Sequence, residues 1–130
     1  MIVVDASAIV ELLFNSVRGV SVRRKLFAAG ETLHVPHLLD VEVLQVLRRY
    51  SMSRILDPER ALQALDDYQD LPLTRYPHSL LLGRVWELRH NLTAYDAVYL
   101  ALAEALDAPL LTCDQALVSV SGHRADVQMI

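Results

Sequence analysis

Two aspartates stand directly after short stretches that resemble buried strands, and they are the first sign of chemistry in this sequence. Asp5 follows residues 1–4, and Asp114 follows residues 110–113. Short runs that are apolar throughout are typical of parallel strands buried on both faces. Because ligands bind beyond the carboxyl ends of such strands, both carboxylates are predicted to enter one crevice. The alternative for each aspartate is that it caps the helix that follows, for which its side chain is well suited.

Glu42 lies beside the apolar stripe of a predicted helix over residues 37–50. It follows Leu39 by three residues and precedes Val46 by four, which places it at the edge of the buried face. A carboxylate there needs a cation or several hydrogen-bond donors, unless its side chain extends into solvent. Asp40 lies further round the same helix and is expected to be solvated.

Asp96 follows Thr93 by three residues and lies in the first turn of a predicted helix over residues 93–105. The helix dipole and a capping arrangement would stabilise a carboxylate there, so Asp96 alone has a structural explanation. Its combination with the other three acids changes the interpretation. Clustered carboxylates repel one another unless a cation binds between them, and Mg²⁺ or Mn²⁺ prefers such oxygen ligands. The four acids therefore indicate a divalent-metal site.

Other catalytic chemistry is poorly supported. The four glycines are too scattered for a Walker loop or a GxGxxG turn, and the five histidines form no HExxH pattern. Cys113 lies inside an apparent strand, where a small buried thiol is expected instead of a nucleophile. As the single cysteine it forms no intrachain disulfide, which favours a reducing, cytoplasmic location. A phosphoacceptor receiver domain needs a lysine after its last strand, whereas the single lysine here, Lys25, lies in an early predicted helix.

The elements that must position these side chains alternate between strands and helices. Strands are predicted over residues 1–4, 32–35, 110–112 and 126–129, and helices over residues 6–14, 17–29, 37–50, 58–70, 79–89 and 93–105. This alternation indicates an α/β fold, with a short central parallel sheet flanked by helices on both faces. The length of 130 residues, with no linker or repeat, predicts one domain over residues 1–130.

Composition limits the possible partners. The net charge of −4 argues against binding a polyanion through overall charge. Without the four acids, however, the remaining acidic and basic residues balance at twelve each, so RNA binding at a metal-loaded site is allowed. The longest unbroken apolar stretch, residues 97–103, is far shorter than the ~18 residues of a membrane span. The first residues do not resemble a signal peptide either.

Four segments of the sequence together resemble the PIN domain, and specifically the VapC-type toxins. They are VVDASA at residues 3–8, PHLLDVEV at 36–43, LTAYDAVY at 92–99 and LLTCD at 110–114. The segments follow the family's order, and the resemblance extends over essentially the whole chain. The resemblance implies a three-layer α/β/α PIN-like fold and a metal-dependent endoribonuclease. Such an enzyme is the toxin of a VapBC-type toxin–antitoxin pair and hydrolyses phosphodiester bonds of tRNA or another structured RNA.

The resemblance also assigns roles to single positions. It implies an acidic quartet around one or two Mg²⁺ or Mn²⁺ ions, with two supporting hydroxyls: Asp5, Glu42, Asp96 and Asp114, with Ser7 and Thr112. Asp5 and Asp96 would be direct ligands, and the other two acids would hold metal or water from either side. Some members carry a further acid shortly after the fourth, where this chain has Leu117 and Val118. The number of ions is therefore open.

The resemblance implies two protein partners, a VapB-type antitoxin and a second copy of the chain in a homodimer. The predicted helices carry apolar faces over residues 39–50 and 62–68 that exceed what so small a domain covers, which also favours a homodimer. No membrane association is expected. Two alternative functions share these features: a non-catalytic PIN-like scaffold that binds RNA or an antitoxin, and a DNA-directed nuclease with the same site chemistry.

Overall fold

A five-stranded parallel sheet forms the centre of the molecule, in a computed structural model that describes residues 1–130. Its strands are β1 (Ile2–Val4), β2 (Leu33–Pro36), β3 (Leu73–Tyr76), β4 (Leu110–Thr112) and β5 (Val127–Met129). Their order across the sheet is β3-β2-β1-β4-β5, and every neighbouring pair is parallel. β1 therefore lies in the middle, with β2 on one side and β4 on the other.

Seven helices connect and cover the strands. They are α1 (Ala6–Leu13), α2 (Val17–Leu26), α3 (Leu38–Met52), α4 (Pro58–Gln69), α5 (Leu82–Glu87), α6 (Ala94–Leu106) and α7 (Gln115–Ser119). All three residues of β1 and of β4 are buried, and because successive strand residues face opposite ways, both faces of the sheet are covered. The predicted three-layer α/β/α arrangement is confirmed. None of the helices combines the length and apolar character needed to cross a membrane.

The most deeply buried helix is α6, which carries one of the predicted acids. Residues 97–103 of this helix are all buried, and the helix contacts β1, β2 and β4 of the sheet. A helix enclosed on every side has little freedom to shift, because protein cores are close-packed. The first turn of α6, where Asp96 lies, is continuous with this buried stretch and is positioned by it.

Most predicted elements are confirmed within a few residues of their predicted bounds. The start of α4 follows the expected pattern: Asp57 accepts a hydrogen bond from the backbone N–H of Arg60 at 2.8 Å, and Pro58 occupies the first helical position. α2 ends at Leu26, three residues before the predicted end, and Gly30 takes a positive φ of 83° in the turn beyond it.

Three stretches depart from the sequence prediction, and one of them is α7, a helix that is not among those predicted. β3 was not predicted, because it is an edge strand whose Thr74 and Arg75 are exposed, so it lacks a continuous apolar run. The single helix predicted over residues 79–89 is wrong. A 3₁₀ turn occupies His78–Leu80, and α5 starts only after Leu81, whose φ of −109° and ψ of −6° interrupt the helix.

The expectation that Asp40 is solvated is only partly correct, because a side chain that is 40% exposed also has protein partners. Its side chain is partly buried and accepts hydrogen bonds from the Tyr68 hydroxyl at 2.6 Å and from Arg75 Nε at 3.0 Å. α4 and the unpredicted strand β3 bring these donors to the first turn of α3. A carboxylate that is isolated on the helical wheel is thus paired by elements far away in the chain.

Candidate metal centre

The crevice predicted from the sequence opens between β1 and β4. The chain passes from β1 to β2 on one side, whereas β4 pairs with the other side of β1. Open parallel sheets bind ligands at such a reversal of strand order. The register places Val4 beside Leu111, and the backbone N–H of Asp5 donates to the carbonyl of Leu111 at 3.2 Å.

A cavity of about 370 Å³ lies at this edge of the sheet, and all four predicted acids line it. Asp5 comes from the end of β1 and Asp114 from the end of β4, while Glu42 projects from α3 and Asp96 from α6. The fold thus gathers carboxylates from four separate elements around one space.

Asp5 is the most enclosed of the four, with 4% of its surface exposed. Its Oδ1 accepts hydrogen bonds from the Ser7 hydroxyl at 2.7 Å and from the backbone N–H of Ala8 at 3.0 Å. Its Oδ2 accepts from the Thr112 hydroxyl at 2.5 Å. Asp5 therefore caps α1 and lines the cavity at the same time, so the two interpretations of this residue do not exclude each other.

The two predicted supporting hydroxyls tie the ends of β1 and β4 together. Ser7 Oγ accepts from the backbone N–H of Cys113 at 2.9 Å, and Thr112 Oγ1 accepts from the backbone N–H of Asp114 at 2.9 Å. Each hydroxyl also donates to Asp5. These bonds hold Asp5 in a fixed relation to the backbone that carries Asp114.

The other three acids are held less tightly. Glu42 Oε1 accepts a hydrogen bond from the Tyr99 hydroxyl at 2.5 Å. Asp114 caps α7, and its Oδ1 accepts from a backbone N–H of that helix at 2.9 Å. Asp96 lies in the first turn of α6, where its backbone N–H donates to the Thr93 hydroxyl at 3.3 Å. Capping thus also places Asp96 and Asp114 at the cavity.

Burial and neighbouring charges raise the proton affinity of three of the four carboxylates. Burial raises the pKa of Asp5, Glu42 and Asp96 above their ordinary values, while hydrogen bonds from neighbouring groups partly oppose this. The charge of Asp114 raises the pKa of Asp5 and of Asp96 further, and the charges of these two raise that of Glu42. No ion pair of the chain includes any of the four. The cavity therefore concentrates negative charge that no ion pair of the protein neutralises.

The donor chemistry fits a hard divalent cation, because the four acids offer only oxygen ligands. As the side chains stand, however, no three His, Cys, Asp or Glu residues form a group able to hold a metal ion. Binding therefore requires the carboxylates to turn toward one another, which their repulsion opposes and a cation between them would favour. The residues present fit such an ion in type and charge.

Two further charged residues line the cavity without having been identified from the sequence as site residues. Glu11 follows Ser7 by four residues on α1, and Arg49 follows Glu42 by seven on α3. Helical spacing places each pair on one face, and this signal could have found them. The Glu11 carboxylate accepts a hydrogen bond from a serine hydroxyl. Arg49 is exposed, forms no ion pair and is the one basic residue among those that line the cavity.

Comparison with known proteins agrees with this arrangement. The model of the PIN domain family matches residues 2–122. Ribonuclease VapC9 of Mycobacterium tuberculosis is 48% identical over 130 residues, which are 100% of this chain and 98% of the relative. This chain belongs to the PIN-domain family of VapC ribonucleases. The PIN-domain resemblance of the four sequence segments is thereby confirmed.

A second relative and a solved structure also match nearly the whole chain. Ribonuclease VapC1 of Mycobacterium tuberculosis is 43% identical over 129 residues, covering 98% of this chain and 96% of the relative. Among solved structures, VapBC2 from Rickettsia felis, bound to a DNA fragment from its promoter, gives a TM-score of 0.74 at 14% identity. That match covers 99% of this chain and 98% of the other, and at this identity it speaks for the PIN-like fold alone.

Proposed function

We propose that this PIN-domain chain is a metal-dependent endoribonuclease, the toxin of a VapBC-type pair, and that it hydrolyses RNA phosphodiester bonds at the acidic cavity. The observation that carries the proposal is the convergence of four carboxylates, from four elements, on a cavity where no basic residue pairs with them. Full-length relatives named ribonucleases support it. Mg²⁺ or Mn²⁺ is the proposed ion.

The residues divide the work according to how firmly they are held. Asp5, fixed by three hydrogen bonds, and Asp96, fixed by the buried helix α6, are the proposed direct ligands. Glu42 and Asp114 hold metal or water from either side. Ser7 and Thr112 keep Asp5 in place and do not themselves react. A bound divalent ion would supply an acidified water and neutralise charge on the phosphodiester.

Arg49 is the proposed contact for the substrate backbone. This arginine lines a cavity whose other charged residues are all acidic, and no carboxylate forms an ion pair with it. Arginine matches a phosphate with two parallel N–H donors, so it can position RNA without reading its sequence. Arg49 thus offers the RNA phosphates a positive charge in a site whose carboxylates would otherwise repel them.

Partners of the chain are proposed to be a VapB-type antitoxin and a second copy of itself. Apolar side chains stand in solvent on α3 and α4: Val41 is 64% exposed, Leu44 48% and Leu62 60%. Covering such surface is favourable by about 25 cal/mol per Å². Sedimentation at micromolar concentration should show a dimer or a complex with the antitoxin; a monomer in both preparations would contradict this part of the proposal.

The deciding experiment compares substrates. The purified protein, freed of antitoxin, is given single-stranded RNA, tRNA and DNA with Mg²⁺, with Mn²⁺ or with EDTA. Cleavage of RNA that stops in EDTA is the expected result. Cleavage of DNA alone would replace the proposal with a DNA nuclease. Binding of RNA without cleavage under every condition would favour a scaffold, a role that gives no reason to keep four mutually repelling carboxylates.

A further inference from the structure

Two buried tyrosines make the same contact with α3 at different places. The hydroxyl of Tyr99 donates to Glu42 Oε1 at 2.5 Å, and the hydroxyl of Tyr68 donates to Asp40 Oδ1 at 2.6 Å. Tyr99 is 2% exposed and Tyr68 is 3% exposed. Their acceptors are two residues apart on one helix. Tyr99 and Glu42 line the acidic cavity, whereas Tyr68 and Asp40 do not.

The two carboxylates differ in what else holds them. Asp40 also pairs with Arg75, whose Nε lies 3.0 Å from both of its oxygens. Glu42 has no basic partner, and the bond from Tyr99 is its one side-chain hydrogen bond. Oε2 of Glu42 is therefore left without a protein donor at the cavity. Tyr99 therefore supplies the one hydrogen bond that fixes where this carboxylate stands.

Tyr99 links two of the proposed metal-site acids. It lies on α6 three residues after Asp96, within the stretch of that helix that is buried on all sides. Its ring cannot move without disturbing the core, because that core is close-packed. Through the hydroxyl of Tyr99, the position of Asp96 on α6 and the carboxylate of Glu42 on α3 are set together.

We propose that Tyr99 is a positioning residue, whose hydroxyl holds the Glu42 carboxylate at the cavity so that Oε2 remains free to face a divalent ion or its bound water. The inference rests on the proposed metal-dependent function. Groups that orient a metal ligand typically contribute 10–100-fold to metal affinity. Removal of the Tyr99 hydroxyl should therefore weaken binding of the ion by about tenfold or more. The RNA substrate is not involved in this effect.

The test measures Mn²⁺ binding by calorimetry, without RNA, in the full-length protein. Tyr99→Phe removes the hydroxyl and keeps the ring, and Tyr68→Phe makes the identical change against Asp40. We expect the Kd for Mn²⁺ to rise about tenfold or more in Tyr99→Phe and to stay within about twofold of wild type in Tyr68→Phe. Both variants should keep the native circular-dichroism spectrum and melt a few degrees lower.

Cleavage at varied Mn²⁺ concentration provides a second readout. Tyr99→Phe should need more Mn²⁺ for half-maximal activity, with kcat largely restored at saturating Mn²⁺. A structural role alone would lower the amount of active protein and leave the half-maximal Mn²⁺ concentration unchanged. An unchanged half-maximal concentration and an unchanged Kd in folded Tyr99→Phe would overturn the proposal.

A double-substitution cycle tests whether Tyr99 acts through Glu42. Glu42→Gln should weaken Mn²⁺ binding, and adding Tyr99→Phe to it should weaken binding no further. A second loss as large as that of Tyr99→Phe alone would show that Tyr99 acts elsewhere and would overturn the proposal. Wild type that binds no Mn²⁺ would overturn the proposed function as well. Wild type that binds Mn²⁺ only as tightly as Tyr99→Phe does would overturn the positioning role alone.

Discussion

The two ends of α6 carry carboxylates in opposite electrostatic surroundings. Near the start, Asp96 lines a cavity with four other acids, and none of the five forms an ion pair with a base. Near the end, Glu104 receives two hydrogen bonds from Arg84, Nε to Oε2 at 2.7 Å and Nη2 to Oε1 at 3.0 Å. The backbone N–H of Arg124 adds a third at 2.7 Å.

The proton affinities follow this difference. Burial raises the pKa of Asp96, and the charge of Asp114 raises it further. The hydrogen bond from Arg84 lowers the pKa of Glu104 despite burial of the side chain. A carboxylate whose counter-charge comes from the same chain stabilises the fold, whereas one without a counter-charge is ready for a cation from outside. The comparison therefore separates a structural acid from a proposed functional one on a single helix.

The largest expected effect concerns cleavage. Asp96→Asn should reduce RNA cleavage on the order of a hundredfold or more, because a metal contributes several kcal/mol to the transition state. Glu104→Gln, a matched change at the other end of α6, should leave the activity of the folded protein near that of wild type. Initial rates on a susceptible RNA measure both.

Circular dichroism must show that Asp96→Asn is folded before its rate is interpreted. Equal rates for Asp96→Asn and wild type would remove the functional half of the comparison. An equally inactive but folded Glu104→Gln would show that the two ends of α6 are not separable.

The second expected effect is on the response of thermal stability to Mg²⁺. An ion that binds only the folded state adds about 2.7 kcal/mol at 100 times its Kd, which raises Tm by roughly 10 °C in a domain of this size. Asp5→Asn should lose most of this rise, whereas Glu104→Gln should keep it. Thermal melts with EDTA and with Mg²⁺ give the two values.

In EDTA, Asp5→Asn should be as stable as wild type or slightly more so. Asparagine caps a helix as well as aspartate does, and the substitution removes repulsion from Asp114. If Asp5 only capped α1, the variant would instead keep the full Mg²⁺ response, and the metal site would need other ligands.

A third effect, smaller in size, concerns the basic residues. Arg84 is tied to Glu104 and Glu87, whereas Arg49 lines the cavity and pairs with no acid. Arg49→Ala should raise KM for RNA about three- to tenfold. It should also reduce the slope of log affinity against log salt concentration by about one, as expected for the loss of one phosphate contact. Arg48→Ala removes an exposed neighbour that does not line the cavity and should change neither. Equal KM values for the two variants would contradict the proposed phosphate contact.

The sequence carries information on the acids that stand where a strand ends. Asp5 follows an apolar run and Asp114 follows a run that is apolar except for Thr112, and a parallel sheet brings such ends to one edge. Helical spacing places Glu42 beside a buried face, and the capping pattern places Asp96 in the first turn of a helix. The bond from Tyr99 to Glu42 could not be predicted, because it joins two helices whose packing no local pattern describes.

Local patterns fail for a related reason at β3 and Asp40. An edge strand needs one paired neighbour and one covered face, so β3 lacks the continuous apolar run that identifies β1 and β4. Arg75 of β3 and Tyr68 of α4 supply the donors to Asp40, so a missed strand also conceals the partner of this acid. Pairing of charges is a tertiary property, and the contrast between the ends of α6 depends on it.

The smallest expected effect is the pH dependence of the structural acid. Glu104 in the folded state has a pKa below its ordinary value of 4.5, because Arg84 favours the charged form. Between these two pKa values the unfolded chain binds more protons than the folded one, so stability falls as pH decreases through this window. A glutamine at this position does not titrate. The loss of stability caused by Glu104→Gln, about 1–2 kcal/mol at pH 7, should therefore shrink as pH falls below 4.5.

Urea unfolding of wild type and Glu104→Gln at neutral and acidic pH, in EDTA, measures this difference in stability. A difference that stays constant down to the acid transition would show that the Arg84 pair contributes through packing and neutral hydrogen bonds, and the two ends of α6 would then differ less in charge than their contacts indicate.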